Sequence, residues 1–349
     1  MKSRFRRSLK WIWLTLLAIV VLVVALYWEL ILYGLQQGQG QFNIIWNARP
    51  VEEYLSDPAF PDSLKVRLEL INEIRKYAID SLGLKDTENY KTLYDQKGKE
   101  VLWVVIASEP FQLKSKEWKF PVIGSVPYKG FFKKERADNL KKELETEGWD
   151  VIVRNPGGWS TLGWFTDPIL SKMLTRSEGD LANLIIHEMS HATIFVKDSV
   201  EFNENLSTFI GDRGAEQFLL YKYGPDSKEY ISYLQEDSDY LKYVDHMLRG
   251  AQKLDSLYST MESTDSLSRK IMLKENLIRQ IVKNMDTLSL ALTKEPSARF
   301  RKTLPNNAYF INYRQYQAKQ TEFADEWTKD FGGDLKAYIT YLSNKYPFL

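Results

Sequence analysis

Residues 183–195 read NLIIHEMSHATIF. The apolar residues recur at helical spacing, yet the stretch holds two of the chain's three histidines and a glutamate. His187 and His191 stand at i and i+4, which on an α-helix puts both imidazoles on one face a turn apart. The pattern His-Glu-x-x-His is the arrangement in which two histidines grip one zinc ion while the glutamate, here Glu188, stands beside a water as general base. Leu181, Leu184, Ile185, Ile194 and Phe195 make most of the surrounding helix apolar and hence buried. Buried imidazoles need partners, and a shared metal satisfies both. Ser177, three residues before Asp180, reads as the cap that starts this helix.

A catalytic zinc takes three protein ligands and keeps one position open. With no cysteine in the chain, any metal must use His, Asp, Glu or water. The third ligand is expected on a second helix that returns to the first. FNENLSTFIGDRGAEQFL (202–219) follows after the polar break VKDSVE, with Phe202, Leu206, Phe209 and Ile210 at helical spacing. Asn203 can cap it, which places Glu204 in its first turn. Glu204 completes a set with His187 and His191; Glu201 and Asp198 compete for the role, and a glutamate at a helix start is also favoured by the helix dipole alone. Thr208, one turn on, could hydrogen-bond a ligand. The third histidine, His246 in YVDHMLRG, reads as a surface or packing residue.

Working outward, 349 residues with 44% hydrophobic content can bury a sizeable core. The 47 basic and 46 acidic residues nearly balance, but five basics (Lys2, Arg4, Arg6, Arg7, Lys10) fall in the first ten positions, where there is no acid. The remaining 42 basics against 46 acids leave residues 11–349 at −4, which argues against a nucleic-acid footprint. Next comes WIWLTLLAIVVLVVALYW, Trp11 to Trp28, without a charge. Eighteen helical residues cover roughly 27 Å, close to a bilayer's hydrocarbon thickness. Aromatics stand at both ends, and the basic residues precede the span. This predicts a basic cytoplasmic N-terminus (1–10), a transmembrane helix over 11–33 and an extracytoplasmic body over 34–349. The rival is a cleaved signal peptide, but no A-x-A cleavage site follows.

The body is expected to be α+β, mainly α. Helices are predicted over 51–56 and 63–82, the second capped by PDS. EVLWVVIAS (100–108) and WDVIVRN read as strands, FPVIGSVPYKGFF as a broken strand turning at Gly124 and Gly130, and 133–147 as an amphipathic helix. WSTLGWF (159–165) reads as one more strand, either a core strand or an edge that pairs with substrate backbone. Residues 100–166 thus form a small α/β part, and 168–349 a helical part. There 227–261 and 266–293 make a long antiparallel helical hairpin, its seam drawn from Leu241, Val244, Leu248, Ala251, Leu254, Tyr258 and Met261 against Ile271, Ile278, Ile281, Met285, Leu288 and Leu292.

From about residue 33 to the C-terminus the chain resembles a bacterial family of predicted zinc aminopeptidases. QGQFNIIWNARPVEEYLSDP, FPVIGSVPYKGFF, STLGWFTDPIL, HEMSHATIFVKD, FNENLSTFIGDRG and NNAYFINYRQY carry the resemblance. It implies Zn2+ held by His187, His191 and Glu204 of FNEN, Glu188 as catalytic base, and a peptide substrate. The expected function is a membrane-anchored zinc metallopeptidase, an aminopeptidase as the resemblance implies, periplasmic in a Gram-negative cell. The alternatives are a zinc endopeptidase, or an inactive scaffold that binds a partner through its helical hairpin. Exo- and endopeptidase are not separated by the residues: the Gly-x-Met-Glu-Asn motif that holds a substrate's α-ammonium in the large zinc aminopeptidases is absent, and Asp167 is a candidate for that role. Tyr128, Tyr309, Tyr313 and Tyr316 are candidates for stabilising an oxyanion.

Overall fold

The apolar N-terminal run does not continue as one helix. Helix α1 (Lys2–Leu26) ends at Tyr27, and α2 (Trp28–Asn47) leaves at 82° to it. Residues 11–33, expected as one span, are therefore divided between two helices. Among the described residues no single helix is long and apolar enough to cross a membrane, although the bent pair passes that test together. The break falls where Glu29 ends the uncharged run, and α2 continues with the polar sequence GLQQGQGQ. The large apolar side chains of α1 are exposed, Trp11 at 68% and Leu22 at 58% among them.

The structure, a computed structural model, describes residues 2–120, 124–156, 166–317 and 319–346; of residues 2–9 and 315–317 it describes the backbone only. The chain forms two units, residues 1–47 and 48–349. The second unit begins with β1 (Arg49–Pro50), α3 (Val51–Ser56) and α4 (Asp62–Asp80). Helix α4 buries Leu68, Ile71, Ile74 and Ala78, but it starts on Pro61 without the expected side-chain cap.

The α/β part is an antiparallel sheet of order β6-β3-β7, from β3 (Trp103–Ser108), β6 (Lys129–Phe131) and β7 (Asp150–Arg154). Val105 faces Val153 and Ile106 faces Ile152 across β3 and β7. Strand β3 is buried from Val104 to Ser108 without alternation, because helices α5 (Lys134–Thr146) and, from far along the chain, α10 (Asn307–Gln317) both pack on the sheet. The short strands β4 (Trp118–Phe120) and β5 (Gly124–Val126) pair only with each other. Gly124 opens β5 with φ +79, while Gly130 lies inside β6 rather than at a turn. WSTLGWF lies outside the described residues. A third sheet, β1-β2-β8, joins β2 (Thr92–Tyr94) in parallel to β8 (Ile169–Leu170) and so brings the segments ending at residues 90 and 167 together.

From residue 171 on, the described chain is helical: α6 (Glu178–His191), α7 (Val200–Tyr223), α8 (Lys228–Ser259), α9 (Leu267–Asn284), α10, α11 (Gln320–Phe331) and α12 (Leu335–Lys345), with 3₁₀ turns between. The mainly helical α+β class holds. Helices α8 and α9 form the expected hairpin around Met247, Ala251, Leu254, Ile278, Ile281 and Met285. Contacts run in opposite senses, His246 to Ile281 and Lys242 to Ser289, so the pair is antiparallel. Leu241, Ile271 and Leu292 of the predicted seam are exposed instead. Helix α9 also stops nine residues early. The Asp239 carboxylate on α8 accepts the backbone N–H groups of Ala291 and Leu292 at 2.8 Å each and draws the chain off its helical path.

Asn306 and Asn307, in the stretch NNAYF, staple the hairpin to the sheet. Asn306 Nδ2 donates to the Val151 carbonyl, and Asn307 Nδ2 to those of Glu109 and Pro110. The Asn307 backbone N–H donates to Asp150, and Tyr258 Oη donates to Asn307 Oδ1 at 2.7 Å. Lys274 of α9 ion-pairs with Asp150 at the same point.

Candidate metal centre

Helix α6 starts as its sequence predicts, with the Ser177 hydroxyl accepting the Asp180 backbone N–H. Leu181, Ile185, Ile186 and Met189 fill the core, which leaves His187 and His191 on a shared face. Helix α7 packs on α6 in the most extensive contact between described elements, also antiparallel, with residue 204 at His191 and residue 211 at His187. Gly211 permits the approach: a Cβ there would lie 3.1 Å from the His187 Cβ and from the Asn183 carbonyl oxygen. Helix α7 begins at Val200, earlier than expected, so Glu204 lies in its second turn. Asn203 is not its cap; from inside the helix it accepts the Val196 N–H at 2.9 Å and donates to the Val196 carbonyl at 2.8 Å, clamping the α6–α7 connection.

This brings three ligand atoms together. His187 Nε2 and His191 Nε2 are 3.2 Å apart, and Glu204 Oε2 lies 3.6 and 3.7 Å from them. An ion equidistant from the three would sit about 2.0 Å from each, against roughly 2.0–2.2 Å for Zn–N and Zn–O bonds. Two imidazole nitrogens and a carboxylate converge under cover, and this donor set could hold a divalent metal ion. The competing acids are elsewhere among the described residues. Glu201 is exposed, and the Asp198 carboxylate lies against Gly124, where a Cβ would come within 1.7 Å of its Oδ1.

Electrostatics separate the two glutamates. Burial alone would raise Glu204, but the charges and hydrogen bonds of His191 and His187 outweigh it and hold the carboxyl well below the ordinary range. Glu188 goes the other way. Burial pushes it up to about 7; the positive charge of His187 opposes this, and the Glu204 and Asp167 carboxylates add to it.

The partner of His191 on its far side is Ser207, whose Oγ lies 3.0 Å from Nδ1. When Nδ1–H donates to Ser207, Nε2 keeps the lone pair that a metal needs. Thr208, the expected partner, is the neighbour that does not make this contact. Ser207 was findable, since it stands three residues after Glu204 and so shares its helix face. Behind His187, the Asp212 carboxylate accepts from Asn183 Nδ2 at 2.6 Å, and Asn183 also donates to Tyr233 Oη. Burial and the nearby Asp237 raise Asp212 to about 7.

Other candidates have different surroundings. Tyr309 and Tyr313 bond each other's hydroxyls at 3.1 Å and Tyr243 joins at 3.0 Å, with the Arg299 guanidinium over the Tyr243 ring. Tyr128 packs on Val104, Ile106 and Ala308, and the side chain of Tyr316 lies outside the described residues. His246 is a packing residue, its Nε2 bonded to the Ile281 carbonyl at 2.8 Å. Asp167 is buried next to the centre, close enough to act on Glu188.

Residues 32–344 match a family whose description is "Putative aminopeptidase". No curated protein and no solved structure matches the chain.

Proposed function

From the premise that this chain belongs to that aminopeptidase family, we propose that it is a membrane-anchored, zinc-dependent aminopeptidase. The observation that carries this is the convergence of His187, His191 and Glu204 within metal-binding distances, with Glu188 beside them. A bound zinc ion supplies Lewis acidity for the scissile carbonyl and makes an attacking water acidic enough to react near neutral pH. Glu188 takes the proton from that water on its carboxylate and returns it to the leaving amine. Buried beside the ligand cluster, the Glu188 carboxylate is placed for both halves of that exchange. His187 and His191 present Nε2 atoms from one face of helix α6. With His191 Nδ1–H donating to Ser207, that ring would be held in the metal-binding tautomer.

The uncharged, exposed apolar side chains of α1 following a basic N-terminus support a membrane anchor with residues 1–10 in the cytoplasm and the body outside it. The test is zinc content and peptide hydrolysis of the full chain in detergent. Wild type should hold one zinc per chain and His187→Ala should lose it. Glu188→Gln should keep zinc and lose about 10²- to 10⁴-fold in turnover; undiminished turnover by that variant overturns the mechanism.

A further inference from the structure

Tyr90 is an anomalous buried residue outside the metal ligands. It is 1% exposed and adopts φ +63, a left-handed conformation costly for a bulky side chain. Its hydroxyl is buried and makes no hydrogen bond. The surrounding structure holds it there: the Tyr90 N–H donates to the Asp167 carbonyl at 2.7 Å, and the Asp167 N–H donates to Asn89 Oδ1 at 2.9 Å. After burial, the groups that raise the hydroxyl furthest from its ordinary value are the Glu188 and Asp167 carboxylates. The cation near the ring, Arg75, is engaged with Asp86 at 3.5 Å and the Thr87 carbonyl at 2.8 Å. The phenolic oxygen and the Glu188 and Asp167 carboxylates are therefore close enough to act on one another electrostatically, a neighbourhood rich in acceptors and negative charge.

The ligand that complements this set is a primary ammonium, which brings three N–H donors, no acceptor and a positive charge. A substrate's α-ammonium is separated from the scissile carbonyl by a single Cα, so its holder must adjoin the general base; Glu188 is the base, and its charge reaches Tyr90. A lysine ε-ammonium would sit several bonds farther out. We propose that Asp167 and Tyr90 form the subsite for the free α-ammonium of the substrate, and that this subsite makes the enzyme an exopeptidase. The inference rests on the peptidase reading above.

The test titrates leucinamide, N-acetyl-leucinamide and Nα-acetyl-lysinamide into the zinc-loaded full chain by calorimetry, alongside hydrolysis of a peptide with free and with acetylated N-terminus. Leucinamide should bind wild type about 10- to 100-fold more tightly than either acetylated probe. Asp167→Asn should abolish that preference, with the loss on free peptides carried by KM and zinc content unchanged. Tyr90→Phe should weaken leucinamide several-fold and keep the fold, which covers the case in which the Asp167 variant does not accumulate. Equal binding of free and acetylated leucinamide by wild type, or an undiminished preference in both variants, overturns the subsite. Tight binding of Nα-acetyl-lysinamide would reassign it to a side-chain ammonium and likewise overturn it. Absence of hydrolysis of every peptide by zinc-loaded wild type would sink the peptidase reading instead, and the titration would still decide the subsite.

Discussion

Helices α6 and α7 and helices α8 and α9 are both antiparallel pairs of neighbours in the chain, yet their contact faces obey different rules. The α8–α9 seam is Met247, Ala251, Leu254, Ile278, Ile281 and Met285, a surface that exchanges apolar area for stability. The α6–α7 contact spends its central positions on His187, His191, Glu204, Ser207, Asn183 and Asp212, with Gly211 where a side chain would hold the helices apart. Polar groups there are satisfied by one another, and the His187, His191 and Glu204 cluster could hold a metal ion. Substitutions in the seam should therefore unfold the protein, and substitutions in the polar contact should disarm it.

The strongest way to break that division is Leu254→Ala. Leu254 is fully buried, and the change should cost about 2–5 kcal/mol of unfolding free energy in a denaturant titration. Zinc stoichiometry in the surviving folded fraction should stay the same; a loss of metal at unchanged stability would contradict the contrast. Ser207→Ala is the converse. It should leave the denaturation midpoint of the metal-free protein nearly unchanged and weaken zinc about 10- to 100-fold in a competition with a chelator.

Asp212 sharpens the contrast through pH. Its folded-state value of about 7 lies above the ordinary 3.8, so the folded chain binds the extra proton between those limits. Stability from this group is therefore full below about pH 4 and declines as pH rises to about 7. In metal-free protein Asp212→Asn should remove about 1–2 kcal/mol of that slope, read as melting temperature against pH. The smallest effect is expected at His246, which lies in the apolar pair but makes a polar bond. His246→Phe should cost about 1 kcal/mol, the worth of its hydrogen bond to the Ile281 carbonyl, and leave zinc untouched.

The contrast also explains what the sequence could disclose. His187, Glu188 and His191 are legible because their spacing is the helical period itself. Glu204 could be placed on the returning helix but not separated from Glu201 and Asp198 by pattern alone; that took the packing at Gly211. The hairpin was legible as a period, while its end was not, because Asp239 reaches across to residues 291 and 292 and no local signal in 285–293 reports a carboxylate more than fifty positions earlier. Tyr90 was invisible for the same reason. Its left-handed backbone and its proximity to Glu188 exist only once β2 and β8 have paired. The bend that divides residues 11–33 between two helices was not legible, because hydrophobic content counts residues and does not locate a break.

The staple made by Asn306 and Asn307 bears on how the molecule is assembled in time. The groups it satisfies lie at positions 109, 110, 150, 151 and 258. During synthesis the sheet strands leave the ribosome well over a hundred residues before the amides that lock them, and closure over such separations is slow. A nascent chain halted near residue 300 would expose β3 on the face that α10 later covers, so this is the interval in which chaperones would find most to hold.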